Sequence, residues 1–492
     1  MLRRIRPAPE MHPAEAFQRL RSRSSTAHVL LPLTLLMAAA TLAPSSITAV
    51  PQRPDSAPAQ VGVGDSDSHV RFHISATHRT RYGHLWNQFR PAITGNDMAL
   101  SLRTTLLGEL RFHFVAVGTE MADSRVYLSD DDMPLNTSLV NPIDFLQVYI
   151  AASIPHLLAD DALFRIRVGR QSMDVSSRRL IARNRFRNTI NAFTGLDMEW
   201  TSSDQRSVRA FLTVPVQRRL DSLRDNEIRL DLERMESVVW GISLGSRTWS
   251  DAIRVEFNLL GIHERDSEEF PTNNRTFVTS GLRLFRAPRP GRLDFELEAL
   301  MQAGRSRLTP LSEDTTDLRH FAFFVHCSLG RTFTGKLQPR LVLQYDYATG
   351  DKDPFDDANG RFDTLFGARR FEFGPTGIYG AFTRSNINSP AVRAEVQPHR
   401  KLDGFLAYRP AWLAQARDRW ITTLIWDTEG MSGTALGHQI EGRLRWLILP
   451  ENITLEAGFA HLVLGEFPKK APNGNPDAKD PTYIYAQVLL RI

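Results

Sequence analysis

Apolar and polar residues alternate along most of the chain from Val70 onwards, and this period of two restricts the fold more than any other feature. In VRFHISAT (70–77) and IRVEFNL (253–259), nearly every second residue is apolar and the residues between are mostly polar. The pattern recurs in LDFELEALMQ (293–302) and in YIYAQVLLRI (483–492). Such alternation places apolar side chains on one face of a β-strand and polar side chains on the other. The chain is therefore predicted to be all-β.

The lengths of the connections distinguish between kinds of sheet. About 18 alternating segments of roughly 8–14 residues can be placed. Long connections, such as 172–194 and 349–384, alternate with short ones, such as 203–205 and 398–401. A soluble antiparallel sheet shows the same side-chain alternation, but short turns at one rim and long loops at the other are typical of a bacterial outer-membrane barrel. We predict a single closed antiparallel transmembrane β-barrel of about 18 strands in residues 69–492.

The first 49 residues are predicted to be a secretory signal peptide. An Arg-rich segment (1–28) precedes the short apolar run VLLPLTLLMAAATLA (29–43), and small residues follow it near Ala43 and Ala49. A short membrane anchor is the alternative interpretation. The Pro/Ser/Gly-rich residues 50–68 are predicted to be a flexible linker. The mature protein is then expected in the bacterial outer membrane.

The composition gives no indication of a nucleic-acid partner. Residues 1–49 contain six Arg and two acidic residues, so they account for +4 of the formal net charge of +5. The rest of the chain contains 54 basic and 53 acidic residues. Among the 60 basic residues, 54 are Arg, whose planar guanidinium pairs with carboxylates. A genome rich in Arg codons is the alternative explanation. The single cysteine, Cys327, excludes an internal disulfide and a Cys-based metal cluster.

One motif could indicate hydrolase chemistry. Gly241–Gly245 matches G-x-S-x-G, which makes Ser243 a remote candidate nucleophile. A nucleophile elbow needs a strand, a sharp turn and a helix, whereas this motif lies inside the continuous strand pattern VVWGISLGSRTW (238–249). We therefore predict no enzymatic step.

The acidic segment 345–374 does not fit a calcium loop. When Asp351 is the first position, Asp353 is the third, but Phe355 takes the fifth and Asp356 takes the sixth, where Gly is required. The 14 His residues also lack the spacing of metal ligands. No metal site and no cofactor are predicted.

Several stretches together resemble the alginate-export family of outer-membrane barrels. They are RYGHLWNQFRP (81–91), FRIRVGRQSMDVSSRRLIARNRFRNTINAFTGLDMEW (164–200), YDYATGDKDPFDDANGRFDTLFGARRFEFG (345–374) and HQIEGRLRWLILPENITLEAGFAHLVLGEF (438–467). Thr194 stands where the family usually has Asp, and Phe186 where Trp is common. The resemblance implies an 18-stranded barrel whose cationic lumen conducts an anionic polysaccharide, alginate or one like it.

The resemblance also favours a loop at 349–384 that folds inward and constricts the pore. Its predicted anchors are Asp346, Asp351, Arg369 and Arg370. The alternative is a solvated extracellular loop.

Arginines on the polar parity of the strands are the candidate solute-path residues. Rings of Arg select anions in pores, and the guanidinium suits the carboxylates of uronates. The set is Arg71, Arg103, Arg165, Arg167, Arg254, Arg393, Arg443 and Arg445, with Arg170 of the GRQ motif assigned to the same parity. Cross-strand ion pairs could neutralise many of them, because acidic residues share this parity. Those residues are Glu256, Asp294, Glu296, Glu298, Glu395 and Glu441.

The predicted function is passive export of an anionic polysaccharide of the alginate type through an anion-selective channel. Its expected partners are outer-membrane lipid, the solute and periplasmic export proteins. The alternative is a diffusion porin for small organic anions, such as sugar acids or aromatic acids. An outer-membrane barrel hydrolase that uses Ser243 is the remote alternative.

Overall fold

Almost all of the predicted barrel is visible in the computed structural model of the chain. The structure describes residues 61–63 and 70–492, except residues 92, 131–132, 134, 220–222, 224, 248–252, 268–269 and 312. The predicted signal peptide lies outside the described residues. Of the predicted linker, residues 61–63 form a short strand that pairs with Phe72–Ile74, so this part is attached to the sheet.

Eighteen long antiparallel strands, of 9 to 17 residues, form the wall. They are β1 (Val70–Trp86), β2 (Asp97–Phe112), β3 (Val115–Tyr127), β4 (Asn141–Pro155), β5 (Ala162–Gln171), β6 (Phe193–Ser202), β7 (Ser207–Gln217), β8 (Ser237–Arg247), β9 (Arg254–Glu264), β10 (Thr276–Arg286), β11 (Leu293–Ser306), β12 (Leu318–Thr332), β13 (Arg340–Ala348), β14 (Ile387–His399), β15 (Leu402–Trp412), β16 (Ala435–Leu449), β17 (Ile453–Leu464) and β18 (Thr482–Arg491). Short strands also occur at Leu232–Glu233 and Ala358–Asn359.

The sheet closes because the first long strand pairs with the last. Thr77–Trp86 of β1 pairs antiparallel with Thr482–Arg491 of β18. A closed sheet has no free edge, so its backbone N–H and C=O groups find partners within the wall even in hydrocarbon. The predicted fold, a closed antiparallel barrel of 18 strands, is confirmed.

The two faces of the wall differ as the alternation requires. On β12, Phe321 and Phe323 are exposed, whereas His320 and His326 are buried. The exposed apolar rows form the outer surface. The polar rows face an interior that other parts of the chain fill.

Short turns and long loops lie at opposite rims. Turns at 113–114, 203–206 and 400–401 join strands at one rim. The first strand, β1, begins at this rim, and the last strand, β18, ends there. Long connections at the other rim are 87–96, 172–192, 349–386, 413–434 and 465–481. The long-loop rim of such barrels faces the cell exterior.

The helices of the described part are single turns. They are α1 (Arg370–Phe373) and α2 (Phe467–Lys470). Neither has the length and apolar character of a membrane-crossing helix.

Candidate functional site

Two of the long connections fold into the barrel: residues 172–192, here loop A, and residues 349–386, here loop B. Ile181 of loop A and Tyr379 of loop B are fully buried. The loops contact each other, since the Phe366 N–H of loop B donates to the Leu180 carbonyl of loop A at 2.8 Å. They also bind inward-facing side chains of β1, β11 and β16, on well-separated parts of the wall. The two loops therefore lie across the interior.

Arginines of β1 and β2 hold the main chain of loop A. Arg79 donates to the carbonyls of Arg185 and Arg187 at 3.0 Å, and Arg103 donates to the same carbonyls at 2.8 and 2.9 Å. Both guanidinium groups are buried. Arg103 was predicted to line the solute path, and the structure places it under loop A as an anchor instead. A guanidinium suits this role because it offers five donors.

A buried ion network joins both loops to the wall. Arg179 of loop A contacts Glu296 of β11 at 2.5 Å, and its Nη1 also contacts Glu298. The Arg179 Nε donates to Glu372 of loop B at 2.5 Å, and Glu372 also accepts from Arg384 Nε at 2.8 Å. Since each buried charge has an opposite partner, the network holds the loops only while it is complete.

The predicted anchors of loop B take different positions. Arg370 contacts Glu441 of β16 at 3.1 Å and the Tyr485 hydroxyl of β18 at 3.2 Å, so it ties loop B to the wall. Asp351 accepts the Gly360 N–H at 3.0 Å and so folds the loop on itself.

Asp346 belongs to the wall rather than to the loop. Its carboxylate contacts His326 at 2.7 Å and Arg409 at 2.9 Å. Ligand-type atoms of His326, Asp346 and Glu372 lie within 4.8 Å of one another. Arginines already bind both carboxylates, so their arrangement is accounted for as part of the ion network.

Four predicted wall arginines are paired with carboxylates. The pairs are Arg165–Glu199 (3.4 Å), Arg393–Glu395 (2.9 Å), Arg443–Asp403 (2.7 Å) and Arg445–Asp403 (2.8 Å). The six acidic residues of this parity all bind arginines, but mostly arginines outside the predicted solute-path set, including Arg179 and Arg370 of the inward loops. Asp294 and Glu395 bind Arg340, Glu256 binds Arg283, Glu296 and Glu298 bind Arg179, and Glu441 binds Arg370.

Two further wall arginines lie over aromatic rings, which favour cations at their faces. Arg167 lies 4.3 Å from the ring centre of Tyr149, and Arg254 lies 5.6 Å from that of Phe285. Arg71 is exposed at the start of β1. The wall therefore presents a mixed surface of paired and stacked guanidinium groups.

Arg170 does not share the parity of Arg165 and Arg167, and its assignment to their set was wrong. Strict alternation puts Gly169 next on their face. Arg170 instead pairs in register with Val148, which is exposed on the outer surface. Its guanidinium binds Asp144 and Glu233 at 2.9 and 2.7 Å.

Loops at the exterior rim enclose a cavity of about 320 Å³, here the arginine cavity. Its charged lining residues, among those that the structure describes, are Arg90, Arg187, Arg369 and Arg384. Hydroxyl groups complete much of the lining, from Ser138, Thr364, Thr376, Thr383 and Thr422. The cavity therefore combines positive charge with hydrogen-bond donors.

Three of these four arginines have no carboxylate partner in the described structure. Arg90 donates to the carbonyls of Ile378 and Tyr379 at 3.0 and 2.7 Å. Arg187 and Arg369 form no ion pair with a described residue, and the Arg369 Nε is buried without an acceptor. Arg384 differs, since it is bound to Glu372.

The pKa values of the cavity arginines reflect this lack of compensation. Burial, with repulsion from Arg187, Arg90 and Arg384, lowers the pKa of Arg369 to about 9. Burial likewise lowers the pKa of Arg187 to about 10, and repulsion from Arg218 adds to the effect. These groups are still cationic at neutral pH, so they favour an anion in the cavity.

The comparison with protein families decides the family. Residues 70–478 match the family described as alginate export. The chain belongs to the alginate export family. A search of curated proteins gives no significant match.

Solved structures show the same fold as this alginate export family member. OccK8 (OprE) of Pseudomonas aeruginosa superposes with a TM-score of 0.56 at 10% identity, over 86% of this chain and 98% of that one. OpdK of P. aeruginosa with vanillate gives 0.52 at 12% identity, over 85% and 98%. OccK2 (OpdF) of P. aeruginosa in complex with glucuronate gives 0.51 at 11% identity, over 85% and 98%. The protein is an outer-membrane channel of this barrel type.

The sequence did give one signal for the residues that were missed. The segment RRLIARNRFR (178–187) carries five Arg in ten residues. This charge density marks loop A as a candidate luminal loop. Arg90 is the one arginine of the connection 87–96, and its position at the same cavity as Arg384 depends on contacts between distant segments.

Ser243 lies in the middle of β8, paired in register with Asn258 and Arg209. Its backbone is a continuous strand from Ser237 to Arg247. This geometry differs from the strand–turn–helix that presents a nucleophile.

Proposed function

We propose that the protein is a passive, anion-preferring channel, without an enzymatic step, that exports an acidic polysaccharide of the alginate type. The observation that carries this proposal is the arginine cavity. Arg90, Arg187 and Arg369 surround it without carboxylate partners. Uronate polymers present one carboxylate per sugar, and a guanidinium binds that group through two parallel hydrogen bonds.

Conduction also needs weak binding, because a solute that is held too firmly does not leave. The cavity meets this requirement, since Arg90 is already engaged by loop carbonyls and Arg384 by Glu372. The wall toward the short-turn rim carries ion pairs and stacked arginines rather than free charge. A polymer would then meet its firmest site at the cavity and weaker sites along the wall. Periplasmic export proteins would deliver it.

A second candidate function is diffusion of small organic anions. Two observations favour it. A volume of about 320 Å³ suits one or two sugar units, and the two inward loops leave the lumen narrow. The similar barrels named with vanillate and glucuronate bind small carboxylates, although at 10–12% identity this likeness is one of fold.

Release of uronate chains from proteoliposomes separates the two candidates. Vesicles that contain the channel are loaded with glucuronate or with oligouronates of two to twelve units, and the release of each is timed. Export of a polymer predicts that the longer chains leave at rates that fall gradually with length. Release of the monomer alone, with chains above two units retained, would favour the small-anion porin. If the vesicles retain glucuronate and all the oligouronates but release neutral sugars, both candidate functions are contradicted.

A further inference from the structure

The short-turn rim, which faces the periplasm in barrels of this type, carries its charge unevenly. The three consecutive turns at 287–292, 333–339 and 400–401 contain five basic residues and no acidic one. These residues are Arg289, Arg292, Lys336, Arg400 and Lys401. They make the rim strongly basic from β10 to β15.

Other turns of the same rim have the opposite balance. Those at 113–114, 156–161, 203–206 and 450–452 contain four acidic residues and one arginine. That arginine, Arg206, is paired with Asp204 at 2.7 Å. The positive charge is therefore confined to one sector and is not a general property of the rim.

Two further arginines extend the basic sector onto the outer surface of the wall. Arg286 of β10 pairs in register with Phe295, and Arg331 of β12 pairs with Leu293 and Leu341. Leu293 and Leu341 are exposed on the outer surface. Arg286 and Arg331 therefore end two lipid-facing rows, on the side nearest the periplasm.

Aromatic rings lie beside both of these arginines. The Arg286 guanidinium is 5.7 Å from the ring centre of Phe295, and that of Arg331 is 5.4 Å from the ring centre of the exposed Phe333. Aromatic residues mark the two membrane interfaces of such barrels. The two guanidinium groups therefore lie at the level of lipid headgroups.

The carboxylates closest in sequence already have partners inside the barrel. Asp294 and Glu395 bind Arg340, and Asp403 binds Arg443 and Arg445. The basic residues of the three turns, with Arg286 and Arg331, form no ion pair with any residue that the structure describes. The Arg286 Nε is also buried without an acceptor. This sector therefore presents uncompensated positive charge at the edge of the membrane.

We propose that this sector binds anionic phospholipid in the inner leaflet of the outer membrane. We name it the basic rim, and it consists of Arg286, Arg289, Arg292, Arg331, Lys336, Arg400 and Lys401. A guanidinium holds a phosphate through two parallel hydrogen bonds, and basic residues near the surface attract anionic lipids. An acidic protein in the periplasm could contact the turns, but it would not account for Arg286 and Arg331 on lipid-facing rows. This inference is independent of the solute.

The single thiol of the chain reports on lipid at this site. Cys327 lies on the outward row of β12, four residues before Arg331, and pairs with the exposed Tyr345. The channel is labelled there with bimane and placed in vesicles with equal amounts of phosphatidylglycerol and phosphatidylcholine. Either lipid in turn carries brominated acyl chains, which quench bimane on contact. We expect the association constant of phosphatidylglycerol to exceed that of phosphatidylcholine at least about fivefold.

Two charge variants locate the lipid site. Arg286→Gln with Arg331→Gln should bring the ratio of the two association constants close to one, because it removes both guanidinium groups at the headgroup level. Lys336→Gln with Arg400→Gln changes only the turns and should lower the ratio about twofold, which covers the case in which the first variant folds poorly. The matched control, Arg206→Gln with Arg319→Gln, also removes two charges, but from exposed ion pairs outside the basic rim. It should keep the wild-type ratio.

Equal quenching by the two brominated lipids in the wild-type channel would overturn the proposal. Binding of a polyglutamate peptide that Lys336→Gln with Arg400→Gln weakens would then assign the basic rim to an acidic protein. An equal loss of lipid preference in the Arg286→Gln, Arg331→Gln variant and in the control would also overturn the proposal, since the preference would then follow net charge rather than this site.

Discussion

The barrel wall and the arginine cavity use the same residue type in opposite ways. On the wall, Arg443 and Arg445 share Asp403, and Arg393 binds Glu395. At the cavity, Arg187 and Arg369 have no such partner in the described structure. A paired guanidinium fixes the shape of the wall, whereas an unpaired one leaves a net field inside a small volume. Whether an arginine favours anion binding therefore depends on whether a carboxylate lies within reach of its guanidinium. The total number of arginines is a poorer guide.

The largest effect of a single substitution is expected in the buried ion network around Arg179, where the charges are most completely paired. Arg179→Ala leaves Glu298 buried without its paired arginine, while Glu296 and Glu372 keep only Arg283 and Arg384, at a cost of about 3–5 kcal/mol to the packing of the loops. Trypsin cleavage at the arginines of loop A, followed by mass spectrometry, measures the released fraction. We expect cleavage to rise at least about a hundredfold.

The control is Arg165→Ala, which removes an exposed ion pair and should cost about 0–1 kcal/mol. Loop A that stays resistant to trypsin in Arg179→Ala would mean that the network does not hold the loops.

The next effect concerns selectivity at the cavity. Arg187→Gln with Arg369→Gln removes two uncompensated charges, and the anion-to-cation permeability ratio is expected to fall about tenfold, which corresponds to about 1.4 kcal/mol. The zero-current potential in a KCl gradient measures the ratio. The matched control, Arg165→Gln with Glu199→Gln, removes a neutral pair and should leave the ratio within about twofold. An equal fall of the permeability ratio in both variants would contradict the proposed difference between the wall arginines and the cavity arginines.

Charge reversal on the wall should have a smaller effect. Arg165→Glu with Arg167→Glu changes the net charge by four units but acts nearer the short-turn rim, where solvent and other ion pairs screen it. We expect the same permeability ratio to fall about threefold. A fall larger than that of the cavity variant would place the selective site on the wall.

The smallest effect is expected from pH. Burial raises the pKa of Asp351 to about 6, and Asp418 and Asp356 add to the rise, while the Gly360 N–H and Arg361 oppose it. Because the pKa in the packed loop lies above the ordinary value of 3.8, packing is favoured by protonation and weakens as the pH rises between these values. Acidification from pH 7 to pH 5 should therefore reduce single-channel conductance roughly twofold.

Asp351→Asn provides the control for that measurement. An amide can still accept the Gly360 N–H but does not titrate, so its conductance should change little over this range. A wild-type response that persists in Asp351→Asn would assign the pH dependence to another group.

The fold was predictable because it depends on local patterns. A period of two and alternating loop lengths specify strands, their two faces and a closed barrel. Arg170 shows how easily one step fails, since a single residue of offset moves a side chain to the other face. The polar parity of Arg443 was visible in the sequence, but its pairing with Asp403 depends on the register between β15 and β16.

The cavity was not predictable for a different reason. Arg90, Arg187 and Arg369 come from three loops and meet only because loops A and B fold inward. The burial of Arg103 beneath loop A has the same origin. Contacts between such distant segments leave no periodic trace in the sequence, and the density of Arg in residues 178–187 was the one available sign.

The measurement that tests the central claim most directly is the zero-current potential of the wild-type channel in a KCl gradient across a planar bilayer, with oligouronate then added on the exterior side. We predict a potential of the sign that anion preference gives, and current block by micromolar to millimolar oligouronate that Arg187→Gln with Arg369→Gln weakens. A wild-type channel that prefers cations, or one that oligouronates do not block, would contradict the account.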